Sequence, residues 1–95
     1  MAQTGSIRDK ISFIKIKDDS DSLKYADKLM EGEILCIDFN DCPKEQAEGV
    51  LNFLSGVNYA TDGKVTKISK NVFLFAIKEQ YKDPDIKNFI AKYSK

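Results

Sequence analysis

The chain has 95 residues, of which 42% are hydrophobic and 32% charged, and this balance is typical of one small globular domain. Its 15 basic residues match its 15 acidic ones, which disfavours a nucleic-acid-binding protein because such proteins usually carry a basic excess. Two cysteines without any histidine argue against a disulfide-rich secreted scaffold and against a zinc site.

The N-terminal residues show no targeting signal. The opening Met1–Ser6 resembles an artificially added leader, so we expect residues 1–10 to be leader and residues 11–95 to be the folded core. We also expect the natural protein to extend further at its N-terminus. No signal peptide is visible, and no apolar run approaches the roughly 20 residues that span a bilayer.

The first part of the core reads as a strand followed by a helix. Residues 11–17 are rich in isoleucine and bounded by polar stretches, which predicts a strand. The polar residues 18–22 offer N-caps for a helix that runs to about Met30 and ends at Gly32. One face of this helix is predicted to form a buried stripe, made of Leu23, Ala26, Leu29 and Met30.

The middle of the chain predicts a central strand and a long helix. Residues 34–39 are almost entirely apolar, and a strand that is apolar on both faces is expected to be covered on both sides. Pro43 is suited to the first turn of the next helix, which is predicted to run to about Tyr59. The residues of that helix expected to pack on the sheet are Ala47, Val50, Leu51, Leu54 and Asn58.

The opposite side of the long helix carries several small residues. Gly49, Phe53, Gly56 and Ala60 fall on this side, roughly opposite the side that faces the sheet. A glycine inside a helix costs about 1 kcal/mol relative to alanine, so two of them on an outward side need an explanation. Small residues let another backbone come close, which predicts either self-association or close packing within one chain.

The last part of the chain predicts a hairpin and a short helix. Lys64–Ile68 and Val72–Ile77 read as two strands joined by a tight turn, and a helix opens near Pro84. The order β-α-β-α-β-β-α predicts an α/β two-layer sandwich, a mixed sheet with the first two helices on one face. The other face is also apolar, and one short helix is not expected to cover it, so we predict a homodimer.

Catalytic chemistry is largely missing from the sequence. Without histidine there is no Ser-His or Cys-His nucleophile pair, and the glycine spacing fits no dinucleotide-binding or phosphate-binding loop. Asp38, Asp41 and Glu45 cluster near the end of the second strand, where they would either hold a cation or simply cap the next helix. We expect no enzyme activity, no cofactor and no metal.

The two cysteines are expected to differ. Cys36 lies inside an apolar strand and is predicted to be a buried free thiol. Cys42 lies at the start of the long helix, where the helix dipole could lower its pKa, but we do not expect a redox role.

A series of short motifs resembles the SepF family of cell-division proteins. After the apolar strand come Lys44–Ala47 opening a helix, then Phe53–Gly56, Tyr59-Ala60, Gly63, and the strand Val72–Phe75. The resemblance covers residues 11–77, and the C-terminal helix and the abundance of lysine and isoleucine look more like archaeal members.

The resemblance implies a role and a set of partners. SepF proteins dimerise, bind the C-terminal tail of the tubulin-like protein FtsZ, and link the division ring to the membrane through an N-terminal amphipathic helix and linker, which this chain is expected to lack. It implies a cytoplasmic location at the division septum, on the inner face of the cell membrane, and no nucleic acid. Lys67 and Phe73 match two residues of the family's tail-binding pocket. Gly56 matches a glycine that bacterial members use for self-assembly through this helix, and the outward side with Gly49 and Phe53 agrees with that role.

Two other functions stay open from sequence alone. The β-α-β arrangement also suits a regulatory domain that senses a small molecule at a dimer cleft. An acidic-site hydrolase or metal protein would use Asp38 and Asp41.

Overall fold

The computed structural model describes residues 7–93, without the side chains of Ile7 and Arg8. Of the predicted leader, residues 1–10, the first six lie outside the described residues, whereas residues 7–10 form a short helix directly before the first strand. The β-α-β-α-β-β-α order is confirmed, with a short helix added before the first strand and a 3₁₀ turn added before the last helix. In chain order the elements are α1 (Ile7–Lys10), β1 (Ile11–Lys15), α2 (Ser22–Met30), β2 (Ile34–Asp38), α3 (Lys44–Ala60), β3 (Gly63–Ser69), β4 (Val72–Ile77), the 3₁₀ turn (Gln80–Lys82) and α4 (Pro84–Tyr93).

The four strands form one mixed sheet in the order β1-β2-β4-β3. β1 pairs with β2 in parallel, with Ile11 opposite Ile34, and β4 pairs antiparallel with both β2 and β3. A parallel pair needs a crossover connection, and α2 supplies it between β1 and β2. The predicted mixed sheet is therefore confirmed, with β1 and β3 at its two edges.

The larger core lies between the sheet and the helices α2 and α3. Alternating residues of β2 and β4 point into it, including Leu35, Ile37 and Phe75, as the period-two pattern predicts. From α3 it receives Val50 and Leu54, which confirms the predicted inward side of that helix.

The predicted buried stripe of α2 is only half right. Ala26 and Leu29 are buried, but Leu23 is 73% exposed and Met30 is 67% exposed. Leu23 and Met30 are seven residues apart and share a side of the helix, roughly 80° around the axis from the side that Ala26 and Leu29 present to the core. All four residues lie in the helix, but the nine residues of α2 bury only a narrow strip.

The backbone requires glycine at two positions. Gly32 ends α2 with a φ of 90°, a backbone conformation that glycine adopts without strain. Gly63 begins β3 against the buried Asn58, whose side chain and carbonyl leave no room for a Cβ atom. The Asn58 Nδ2 donates a hydrogen bond of 3.3 Å to the Ala76 carbonyl, so the end of α3 is tied to the sheet at this point.

A second, smaller core lies on the other face of the sheet, under α4. Ile86 of α4 is completely buried there, together with Ile11, Cys36, Leu74 and Ala76 from the strands. The hydroxyl of Tyr81 donates to the Lys64 carbonyl at 2.5 Å, which anchors the turn that precedes α4. None of the described helices is long and apolar enough to cross a membrane.

Candidate functional site

An open groove lies on the sheet face that carries α4. Its volume is about 990 Å³. Strand residues form its floor, and α4 forms one of its sides, so α4 covers this apolar face only in part. The apolar lining residues and the thiol beside them include Phe13, Cys36, Ile68, Val72, Phe89 and Tyr93.

Three aromatic side chains line the α4 side of this groove, and we call Phe13, Phe89 and Tyr93 the aromatic wall. The Phe13 ring meets the Phe89 ring edge-on at 5.8 Å, and the Phe89 ring lies 5.1 Å from that of Tyr93. Phe13 is 49% exposed and Tyr93 is 50% exposed, although both are large apolar groups. Half-exposed aromatic side chains in a concave surface are typical of a surface that binds another molecule.

The aromatic wall was not recognised as a site from the sequence. The sequence predicts a helix for Phe89 and Tyr93 and a strand for Phe13, and it assigns a function to none of the three. One sequence feature pointed to the wall. Ile11 and Phe13 are two residues apart, so they share one face of the edge strand β1, and this face is apolar.

The start of α4 is fastened by a double ion pair, which we call the Lys10 clamp (Lys10, Asp83 and Asp85). The Lys10 Nζ lies 2.9 Å from Asp83 Oδ2 and 2.7 Å from Asp85 Oδ2. Hydrogen bonds to Asp85 and Asp83 raise the pKa of Lys10, and the hydrogen bond from Lys10 is the main cause that lowers the pKa of Asp83. The clamp joins parts of the chain more than 70 residues apart, so no local sequence pattern predicts it.

The end of the groove nearest the β2–α3 turn is charged. Lys15 and Asp38 are register partners on β1 and β2 and both line the groove. The Lys15 Nζ lies 3.1 Å from Asp41 Oδ2, and this contact raises the pKa of Lys15. Asp38 Oδ1 accepts hydrogen bonds from the backbone and side-chain nitrogens of Asn40 at 2.8 and 2.7 Å.

The acidic cluster considered from the sequence is thus engaged in structural contacts. Asp41 pairs with a lysine, Asp38 accepts from the following turn, and Glu45 lies in the first turn of α3. Within residues 7–93 no group of three or more His, Cys, Asp or Glu side chains is arranged to hold a metal ion. These contacts favour a structural role for Asp38 and Asp41 in the turn before α3, and no side chain caps the start of that helix at Pro43.

Lys67 and Phe73, the two predicted peptide-binding residues, are brought together by the hairpin. They are register partners across the antiparallel β3–β4 pair, so both side chains point to the same face. Lys67 is exposed, while Phe73 is half-buried and meets Phe39 edge-on at 5.9 Å. That face is the one covered by α2 and α3, whereas the neighbouring Ile68 and Val72 line the groove on the reverse.

The end of the hairpin that carries this pair is fixed to the rest of the sheet. Asn71 adopts a φ of 61°, a left-handed conformation that asparagine tolerates well in turns. Its carbonyl accepts from the Phe39 N–H at 2.7 Å, and its side chain donates to Asn40 Oδ1 at 3.1 Å. The Lys67–Phe73 pair is therefore presented by a well-anchored turn.

The outer face of α3, formed by Gly49, Phe53 and Gly56, is exposed as the sequence predicted. No other group lies within 4 Å of the position that a Cβ atom would take at Gly49 or Gly56. The exposed Leu23 of α2 joins Gly49 and Phe53 in lining a shallow depression between the two helices. Leu23 was missed at the sequence level because its spacing assigned it to the core.

Both cysteines are free and buried. Burial, with a smaller effect from Asp38, raises the pKa of Cys36 to about 11, and the prediction of a buried free thiol is confirmed. The prediction for Cys42 is wrong in sign, because its pKa is raised. Desolvation is the main cause, and the acidic Asp18 and Asp19 add to it, so these effects outweigh the dipole at the helix start.

Comparison with known proteins gives a consistent result. The sequence model of the family described as "Cell division protein SepF" matches residues 11–79. Among curated proteins, the cell division protein SepF of Finegoldia magna is 29% identical over 87 residues, covering 92% of this chain and 50% of that protein. The SepF proteins of Lactiplantibacillus plantarum and of an Exiguobacterium species are 30% and 33% identical, over 80% and 70% of this chain and 54% and 43% of theirs. The chain thus spans about half the length of these curated relatives.

Proposed function

The chain belongs to the SepF family of cell-division proteins, and from this premise we propose that it is an adaptor that forms a homodimer and binds the C-terminal tail of FtsZ. In this role it connects the division ring to the inner face of the membrane at the septum. It acts by binding and carries out no chemical reaction.

The observation that carries the homodimer is the uncovered groove beside α4. Both faces of the sheet are apolar, and α2 and α3 cover one face while α4 covers only part of the other. Burial of exposed apolar surface stabilises association by about 25 cal/mol for each Å² removed from water. A second copy offers the same apolar surface, so a symmetric pair buries both at once.

The pair Lys67 and Phe73 supports the peptide-binding part of the proposal. The FtsZ tail is a short peptide that mixes apolar and acidic side chains. The half-buried ring of Phe73 gives an apolar side chain a surface to pack on, and the exposed Lys67 beside it is placed to meet a carboxylate. Because Ile68 and Val72 on the reverse of the same strands line the groove, dimer formation would also steady the peptide-binding end of the hairpin.

The outer face of α3 is proposed as a second contact surface, through which dimers associate further. Gly49 and Gly56 leave open space beside the exposed Phe53 ring, so another backbone can approach closely. Helical glycines that contact nothing in their own chain give it no packing benefit to offset their cost. We assign this self-assembly to Gly49, Phe53 and Gly56.

The membrane link is proposed to run through an N-terminal amphipathic segment of the natural protein. Such a helix lies in the interface with its apolar side in the lipid and does not need to span the bilayer. The length of the intervening linker would then set the distance between the membrane and the FtsZ tail bound to the folded core.

A co-pelleting assay with polymerised FtsZ tests the proposal. We expect the chain to sediment with full-length FtsZ polymers and to stay in the supernatant with polymers of FtsZ that lack the C-terminal tail. Equal sedimentation with both polymers, or with neither, would contradict tail binding. A thermal-shift screen against a metabolite panel separates the alternative of a small-molecule sensor, which predicts a ligand-dependent shift without any FtsZ.

A further inference from the structure

The helix α4 lies beyond residues 11–79, the part of the chain that the family model matches. It nevertheless forms one side of the groove and contributes two of the three rings of the aromatic wall. The position of α4 therefore decides how wide the groove is and which aromatic surface a binding partner meets.

We propose that α4 is part of the surface on which a second copy of the chain docks, and that the Lys10 clamp holds it in the docking position. This inference rests on the proposed homodimer and adds two requirements to it. The aromatic wall must contact the partner, and Lys10 must control the strength of association although it does not line the groove.

Charge favours a second copy over an acidic peptide as the occupant of the groove. At its charged end the groove presents one cation, Lys15, and one anion, Asp38, side by side on neighbouring strands. Across a two-fold axis such a pair is self-complementary, because each Lys15 approaches the Asp38 of the other copy. An acidic peptide would meet one lysine of the groove and, directly beside it, the carboxylate of Asp38.

The clamp acts on the wall because the fully buried attachment of α4 lies close to its start, whereas Phe89 and Ile90 further along are only partly buried against the second core. Ile86 is fully buried in the second core, and the Lys10 clamp holds the two residues Asp83 and Asp85 just before it. Phe89 and Tyr93 follow one and two turns later and lie at the groove. A small change of angle at the clamped end therefore moves the aromatic wall, while the larger core under α2 and α3 lies on the opposite face.

Sedimentation equilibrium with matched variants tests this inference. Lys10→Met removes the clamp, Lys10→Arg keeps it by offering a fork to both carboxylates, and Lys87→Met removes an exposed lysine of α4 that does not line the groove. We expect Lys10→Met to raise the dimer dissociation constant by about tenfold or more, and Lys10→Arg and Lys87→Met to leave it close to that of the wild type.

A second pair of variants addresses the wall directly. Tyr93→Ser removes a half-exposed ring of the wall, and Tyr59→Ser removes an exposed ring of α3 as the control. We expect only Tyr93→Ser to weaken the dimer, with both variants folded by circular dichroism.

The outcomes separate the two proposals. A wild-type chain that stays monomeric up to about 100 µM would overturn the homodimer itself and this inference with it. A dimeric wild type whose Lys10→Met and Tyr93→Ser variants associate as strongly as their controls would overturn the role of α4 and leave the homodimer standing.

Discussion

Lys67 lies directly opposite Phe73 across the β3–β4 hairpin, so an exposed ammonium group and a half-buried aromatic ring share one face of the sheet. Phe73 is also supported from behind by the edge-on ring of Phe39 at 5.9 Å. The ring is therefore held in place before any ligand arrives.

This arrangement predicts that Phe73 contributes more to peptide affinity than Lys67. We expect wild-type protein to bind a labelled FtsZ tail peptide at micromolar strength, about 8 kcal/mol. Phe73→Ala should cost about 2 kcal/mol of this, and Lys67→Ala below about 1 kcal/mol, because an exposed ion pair is screened by water. Fluorescence anisotropy titration measures both, and unchanged affinity in both variants with the fold intact would argue against this pocket.

The glycines of α3 and β3 should respond oppositely to substitution. Gly63→Ala places a methyl group against the Asn58 side chain and carbonyl and should lower the free energy of unfolding by about 2 kcal/mol. Gly56→Ala meets open space and should raise it by about 0.5–1 kcal/mol, since alanine is the better helix former. Urea unfolding measures both, and a strong destabilisation by Gly56→Ala would mean that its surroundings are more crowded than described.

The Lys10 clamp predicts a specific dependence of stability on pH. The pKa of Asp83 is lowered from its usual value of 3.8, so its contribution is present above that pH and is lost as the pH falls through the lower folded-state value. The pKa of Lys10 is raised above 10.5, so its contribution is present below that pH and is lost as the pH rises further.

Thermal melting at a series of pH values checks this dependence. Between about pH 4 and pH 2 the melting temperature of the wild type should fall more steeply than that of Lys10→Met, with Lys87→Met behaving like the wild type. Parallel curves for all three proteins would show that the clamp contributes nothing to the folded state in solution.

The thiols should be unreactive in the folded protein. With a pKa of about 11, Cys36 is ionised in roughly one molecule in a thousand at pH 8, and it is buried besides. Iodoacetamide labelling followed by mass spectrometry should be slow in buffer and fast in urea for both cysteines. Rapid labelling of Cys42 in buffer would contradict the raised pKa of this thiol.

The sequence predicted the fold well because its signals are local. The period-two alternation of β2 and β4, the turn residues around Asn71, and Gly32 after α2 each specify a short stretch of backbone, and the described elements follow them closely. The one clear error in the core was α2, where Leu23 and Met30 have core spacing but lie on the outer side.

The candidate site was harder to predict because it depends on contacts that are distant in sequence. The Lys10 clamp joins the start of the core to its last helix, and the aromatic wall combines Phe13 of β1 with two residues of α4. Lys67 and Phe73 came from the family resemblance, and the hairpin register then explains why two residues six positions apart are neighbours. How much of the second sheet face stays uncovered depends on the position of α4 over the sheet, and no local sequence pattern predicts that position.

The central claim is that the uncovered sheet face joins two copies, and sedimentation equilibrium of two matched variants tests it most directly. Phe13→Asp places a charge in the groove, and Met30→Asp places the same charge at an exposed apolar residue of α2, a helix that covers the other face of the sheet. We predict a dimeric wild type, a monomeric Phe13→Asp and a dimeric Met30→Asp, all folded. A wild type that sediments as a monomer, or a Phe13→Asp variant that dimerises as tightly as the wild type, would contradict the account.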